Sequence, residues 1–100
     1  MILSKETIEQ INDTIENYDL DDEYSTGHEI EIEVGSILLF ITFTLWATLH
    51  EERMVHTEVP PPNIEYFSYY EFDDAEITEI VAYNEDGDEV EIENKKALKY

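Results

Sequence analysis

Ile37-Leu38-Leu39-Phe40-Ile41-Thr42-Phe43-Thr44-Leu45-Trp46-Ala47-Thr48-Leu49-His50 is the stretch that decides the fold. Successive side chains of a strand point to opposite faces, so Ile37, Leu39, Ile41, Phe43, Leu45, Ala47 and Leu49 share one face, wholly apolar. The other face begins with Leu38 and Phe40 and ends mixed, with Thr42, Thr44, Trp46, Thr48 and His50. Its β-branched and aromatic content suits a strand at the centre of a sheet. The apolar run from Val34 to Leu49 contains Gly35, Ser36 and three threonines. It falls short of the about 20 apolar residues that a membrane-spanning helix needs, so no membrane association is expected.

Working outward, Gly35-Ser36 turns the chain, and residues 28–34 alternate again. Ile30, Ile32 and Val34 point one way and Glu29, Glu31 and Glu33 the other, the pattern of a half-buried strand. Upstream, Ile8, Ile11, Ile15 and Tyr18 recur at three- and four-residue spacings, which predicts an amphipathic helix over 4–18. Ser4 is placed to cap it, and Leu3 and Ile8 occupy the two positions of a hydrophobic staple. Asp19-Leu20-Asp21-Asp22-Glu23 follows as a solvated acidic connector. Downstream, Pro60-Pro61-Pro62 predicts a short, stiff, extended connector. Strands are expected over 64–72 and 77–83, then a turn at Asn84-Glu85-Asp86-Gly87-Asp88 and a strand through Val90 and Ile92. Asn94 is expected to cap a short helix over the last seven residues. The sequence thus predicts one α+β domain over 1–100. Its N-terminal helix packs on a mostly antiparallel sheet of about five strands, and a short C-terminal helical tail follows.

The charge is extreme. Twenty-six Asp and Glu against five Lys and Arg give −21, yet 42% of the residues are hydrophobic, enough for a packed core rather than disorder. Such a balance repels nucleic acid and anionic membranes and steers the chain towards basic partners. There is no cysteine, so thiolate metal sites, disulfides and cysteine nucleophiles are excluded. The first residues lack a basic stretch followed by an apolar one, so no secretion signal is read and a cytoplasmic location is expected.

The acid is organised. Glu29, Glu31 and Glu33 share one face of one expected strand, and Glu89, Glu91 and Glu93 do the same on another, with Glu65 and Glu71 as possible additions. Alternate residues of a strand lie about 6.6 Å apart, a scale comparable to the phosphate repeat of a single nucleic-acid strand. A wet sheet face ordinarily mixes both signs, because like charges facing each other destabilise it. Neither ladder contains a lysine or arginine. In size, charge and these two segments the chain resembles the small acidic DNA-mimic inhibitors that phages and mobile elements direct against restriction and CRISPR nucleases. Those inhibitors share no motif, so no residue role is carried over. The resemblance implies an inhibitor of anti-restriction or anti-CRISPR type that occupies the basic groove of a nucleic-acid-binding protein.

The expected partner-binding residues are Glu29, Glu31, Glu33, Glu89, Glu91 and Glu93, extended by Asp19, Asp21, Asp22 and Glu23. The partner is a basic nucleic-acid-binding protein such as a nuclease, with no direct contact to nucleic acid. The alternative is a non-enzymatic accessory domain whose acidity serves solubility.

Catalysis is not expected. Ser4, Ser25, Ser36 and Ser68 lack a glycine elbow, three glycines make no phosphate loop, and most carboxylates are placed in water, where paired pKa values are not driven apart. No metal or cofactor is expected either. Asn84–Glu93 matches a calcium loop only in part, since its first position is Ala82. His50-Glu51-Glu52-Arg53-Met54 lacks the second histidine of a zinc-protease helix. Among the aromatics, Tyr66, Tyr70 and Phe72 are expected on one face and Phe67 and Tyr69 on the other, with at least one set in the core.

Overall fold

The computed structural model describes residues 1–56 and 63–100, and the side chains of 1–53 and 66–100; Pro60-Pro61-Pro62 lies outside the described residues. Helix α1 (Lys5–Glu16) is followed by strands β1 (Tyr24–Val34), β2 (Ile37–His56), β3 (Asn63–Tyr83) and β4 (Glu89–Val90), then a 3-10 turn at Lys95–Ala97. The strands form one antiparallel sheet in the order β1-β2-β3-β4. The chain is therefore α+β, with an N-terminal helix on an antiparallel sheet of four strands.

Local chemistry sets the elements. Ser4 caps α1, its Oγ accepting from the Thr7 backbone N–H at 3.2 Å, which satisfies one of the helix's unpaired donors. The helix buries Ile11 and Ile15 completely, and Leu3 and Ile8 join the same cluster as the staple requires. Val34 pairs with Ile37 around Gly35-Ser36, with Gly35 at φ +59° and Ser36 not at positive φ, the pattern of a type II′ hairpin turn. Near its start β1 carries one extra residue opposite Thr44, where Gly27 takes φ +76° and the Thr26 and Thr44 hydroxyls meet at 2.8 Å.

The two strands expected over 64–72 and 77–83 are one. On β3 the core-facing residues are Phe72, Ala75, Ile77, Ile80 and Ala82, opposite Ala47, Leu45, Phe43, Ile41 and Leu39. Their spacings run three, two, three, two, which no unbroken strand accommodates. Two bulges absorb the extra residues, Asp73 and Thr78, and return the apolar side chains to the core face each time. Asp73 accepts a hydrogen bond from the Thr48 hydroxyl, and the Thr78 hydroxyl donates to the Thr42 carbonyl at 3.2 Å. Four strands rather than five result.

The core lies between α1 and one face of the sheet. It contains Leu39, Ile41, Phe43 and Leu45 of β2 with Ile30, Ile32, Ile80, Ala82 and Ile92, and Tyr18 meets Phe43 edge-on with ring centres 5.2 Å apart. β1 reaches only as far along β2 as Trp46, so beyond Ala47 the hairpin β2–β3 continues as a two-stranded arm. Twenty residues of strand at about 3.3 Å each account for a molecule 66 Å long and 22 Å in both other dimensions.

The C-terminal helix is not formed. Asn94 donates through Nδ2 to the Leu3 carbonyl at 3.0 Å and accepts through Oδ1 from the Leu3 N–H at 2.7 Å, so its amide imitates a strand partner instead of capping a helix. Only the 3-10 turn follows, without a side-chain cap. Asn94→Ala would leave a donor and an acceptor of Leu3 unpaired. We expect a loss of about 1–3 kcal/mol in urea unfolding and faster exchange of the Leu3 amide, with the β2–β3 amide chemical shifts unchanged.

Candidate partner-binding face

The face of the sheet turned away from α1 is uncovered. On β1 it carries Glu29, Glu31 and Glu33, cross-strand from Thr42, Phe40 and Leu38, and all three glutamates are exposed. On the far side Glu89 of β4 faces Tyr83. These four expected residues therefore lie on one face, at its two borders, about 14 Å apart across three interstrand spacings.

The second ladder goes no further. β4 ends at Val90, and the chain leaves the sheet. The Glu91 carbonyl accepts from the Met1 ammonium at 2.5 Å, and the Glu93 N–H donates to the Met1 carbonyl at 2.9 Å. Ile92 between them is buried, so Glu91 and Glu93 are exposed but not on the sheet. The acidic connector does not extend the face either. Asp19 and Asp21 line a recess with Thr14, Asn17, Tyr18 and His28. His28 pairs with Phe43 on the core face, so this recess lies on the helix side. Asp22 accepts from the Glu23 N–H at 2.8 Å, and the Glu23 carbonyl accepts from Ala47 N–H at 2.9 Å. The sheet thus stands between Asp19, Asp21 and the ladder of Glu29, Glu31 and Glu33.

β3 supplies acid that the sequence pattern concealed. Asp74, Glu76 and Glu79 face Trp46, Thr44 and Thr42, all exposed on the open face. The bulge at Thr78 disguised them, because it breaks the alternation that would have put 76 and 79 on opposite sides. The face thus holds seven carboxylates. All five lysines and arginines lie elsewhere: Lys5 on α1, Arg53 on the opposite side of the arm, and Lys95, Lys96 and Lys99 after β4. Between the acidic borders runs a half-buried apolar stripe, Leu38, Phe40, Trp46, Val81 and Tyr83. Phe40 meets Tyr83 edge-on at 5.8 Å, and Trp46 leans on Tyr24 at 5.7 Å.

The face continues onto the arm. Glu71 Oε2 lies 2.6 Å from His50 Nε2, and the His50 ring stacks on Tyr69 at 5.1 Å. The Tyr69 hydroxyl donates to Glu52 at 3.3 Å, and the negative charge of Glu52 raises its pKa. Neither aromatic set of the arm is buried as a set. Phe72 packs against the core and Tyr70 is half-buried, whereas Tyr66, Phe67 and Tyr69 are exposed. A two-stranded arm has no second layer to bury them.

Other expectations resolve locally. Asn84 Oδ1 accepts from the Asp86 and Asp88 N–H groups at 3.0 Å each, so the side chain is committed to its own turn. Among the described residues no group of three or more His, Asp or Glu is placed to hold a metal ion; the side chains of His56 and Glu65 lie outside the described ones. None of the described helices is long and apolar enough to cross a membrane.

Comparison with family models, curated proteins and solved structures gives no match. The face therefore has to be read from its own chemistry. Lys99 and Tyr100 of the basic tail are pinned away from it. Lys99 donates to Glu16 of α1 at 2.8 Å and the Tyr100 hydroxyl donates to the same oxygen. These two hydrogen bonds lower the pKa of Glu16, the bond to Glu16 raises that of Lys99, and burial raises that of Tyr100.

Two measurements follow. Because Glu16 is depressed, its share of the anchor is fully present above the ordinary carboxylate range and is lost as pH falls through its lowered value. Because Lys99 and Tyr100 are raised, theirs is lost only as pH rises through those values. Tyr100 ring resonances should hold their folded shifts from neutral pH to mildly alkaline and move on acidification, and Glu16→Gln should abolish the acid step. Replacing Glu29, Glu31 and Glu33 with glutamine relieves repulsion, so stability in low salt should rise, on the order of 0.5 kcal/mol, with the gain shrinking at high salt.

Proposed function

We propose that the chain is a non-enzymatic acidic interaction protein that occupies the basic nucleic-acid groove of a partner protein, in the manner of a DNA mimic. The observation that carries this reading is the open sheet face, with seven carboxylates and no lysine or arginine. None of the seven has a cation across the strand from it, and their mutual repulsion along one side of the sheet works against the compact state, so a property other than stability accounts for them. Electrostatic attraction to a cationic groove is such a property.

Shape supports it. The rod has a cross-section close to that of a nucleic-acid duplex. Its net charge of −21 along 66 Å amounts to about one charge per 3 Å, near the about 3.4 Å per charge of a single DNA strand. The apolar stripe gives the face something a phosphate backbone lacks. Once counterions are displaced, Phe40, Val81 and Tyr83 bury against the partner and add affinity that salt does not screen.

The test is capture from a bacterial lysate with the intact protein as bait, beside a variant carrying Glu29→Gln, Glu31→Gln, Glu33→Gln, Glu76→Gln and Glu79→Gln. One or two stoichiometric nucleic-acid-binding proteins should be retained at about 0.1 M salt, released by competing DNA, and lost by the variant. Raising salt to about 0.5 M shortens the screening length from about 10 Å towards a few ångströms and should weaken retention. Retention unaffected by DNA and by the five substitutions would refute the proposal.

A further inference from the structure

β4 leaves β3 after two pairs because other contacts claim the chain on both sides of Ile92. Met1 takes over the backbone groups of Glu91 and Glu93, Asn94 holds Leu3, and Ile92 turns into the core. Glu16 then holds Lys99 and Tyr100 against α1, and Tyr100 rests edge-on against Phe72 at 5.7 Å. The departing segment is thus fixed at both ends and cannot close back on β3. The ladder with β4 covers only Ala82 and Tyr83, and among the described residues no other backbone hydrogen bond reaches the outer edge of Ile77–Val81.

Beside that edge runs a slot of about 410 Å³, continuous with a smaller one along Val90 and Ile92 through the shared residues Ile80, Glu89 and Lys95. Its two sides differ chemically. Towards the helix lie Ile77, Ile80, Leu98 and Tyr100; towards the open face lie Glu79 and Glu89, with Lys95 the one cation among the lining residues. An unpaired strand edge offers N–H and C=O groups to any extended chain, and the side-chain pockets beside it select the sequence.

We propose that this slot is a strand-addition site that takes an extended segment of a partner protein, with apolar residues alternating with lysine or arginine. The segment pairs with β3 in the place β4 vacates. Its apolar residues face Ile77, Leu98 and Tyr100, and its basic residues face Glu79 and Glu89. The outer edge of β1 is less suited, because the bulge at Gly27 interrupts it. A second copy of this chain is disfavoured as occupant by the −21 charge each copy carries. The site shares Glu79 and Glu89 with the open face but survives the failure of that reading, since it is read at the Ile77–Val81 amides of β3 rather than at β1.

The test uses the whole protein, isotope-labelled, with a nine-residue peptide alternating valine and lysine, and a control of the same composition with its valines and lysines in two blocks. The alternating peptide should bind at least tenfold more tightly, and the largest amide shifts and exchange protection should fall on Ile77–Val81. Glu79→Lys with Glu89→Lys, both exposed positions, should cost the alternating peptide at least tenfold and admit a valine–glutamate peptide in its place. Equal binding of both lysine peptides, or shifts centred on Glu29–Glu33, would mean diffuse attraction and overturn the proposal. So would sedimentation showing that the edge is already filled by a second copy.

Discussion

Every part of this molecule is registered on the antiparallel ladder between β2 and β3. One strand of 20 residues pairs with one of 21, about twice the upper end of the usual range of strand length. The inner half of that ladder is flanked by β1, covered on one face by α1, and supplies the core. The outer half has only itself. Because β2 keeps strict alternation throughout, a single choice of core face dictates which side chains meet α1 and which meet solvent. The two bulges on β3 are the consequence. Its apolar residues are spaced for a strand with two extra residues, and Asp73 and Thr78 are expelled from the ladder so that Phe72, Ile77 and Ile80 stay in phase with β2.

The same constraint builds the acidic face. With the odd residues of β2 committed to the core, Glu29, Glu31 and Glu33 can only be turned outward, and Asp74, Glu76 and Glu79 follow once the bulges are in place. The ladder also separates acid that the chain order brings close. Asp19 and Asp21 precede Glu29 by a few residues yet end on the helix side. The result is a field of one sign on one side of a rod, with three of the five cations in the last six residues and one of these, Lys99, paired with Glu16.

How far the sequence could be read follows from these rules. Strictly periodic segments were legible: α1 from its isoleucines and Ser4, β1 and the first part of β2 from their alternation, and the Gly35-Ser36 turn. The continuity of β3 was not, because a bulge is indistinguishable in sequence from a strand end followed by a new strand. Asp73 and Asp74, which look like a loop, are a bulge and its neighbour. Glu89, Glu91 and Glu93 alternate as cleanly as Glu29, Glu31 and Glu33, but their pairing was decided by Met1 and Leu3, 91 residues away in the case of Leu3 and Asn94. Asn94 itself reads as a helix cap by type and serves as a strand surrogate by position. Of the expected face, Glu29, Glu31, Glu33 and Glu89 were found by pattern, and the three acidic residues of β3 required the structure.

Both the open face and the slot beside β3 depend on a continuous β2–β3 ladder. Small-angle X-ray scattering of the purified protein at moderate salt tests this most directly. A continuous ladder gives a radius of gyration near the 19.4 Å of the Cα trace, with the distance distribution of a rod. A value near the about 13 Å of a compact 100-residue domain would mean that the arm folds back on the body. That result would remove the rod, its charge spacing and the face as described.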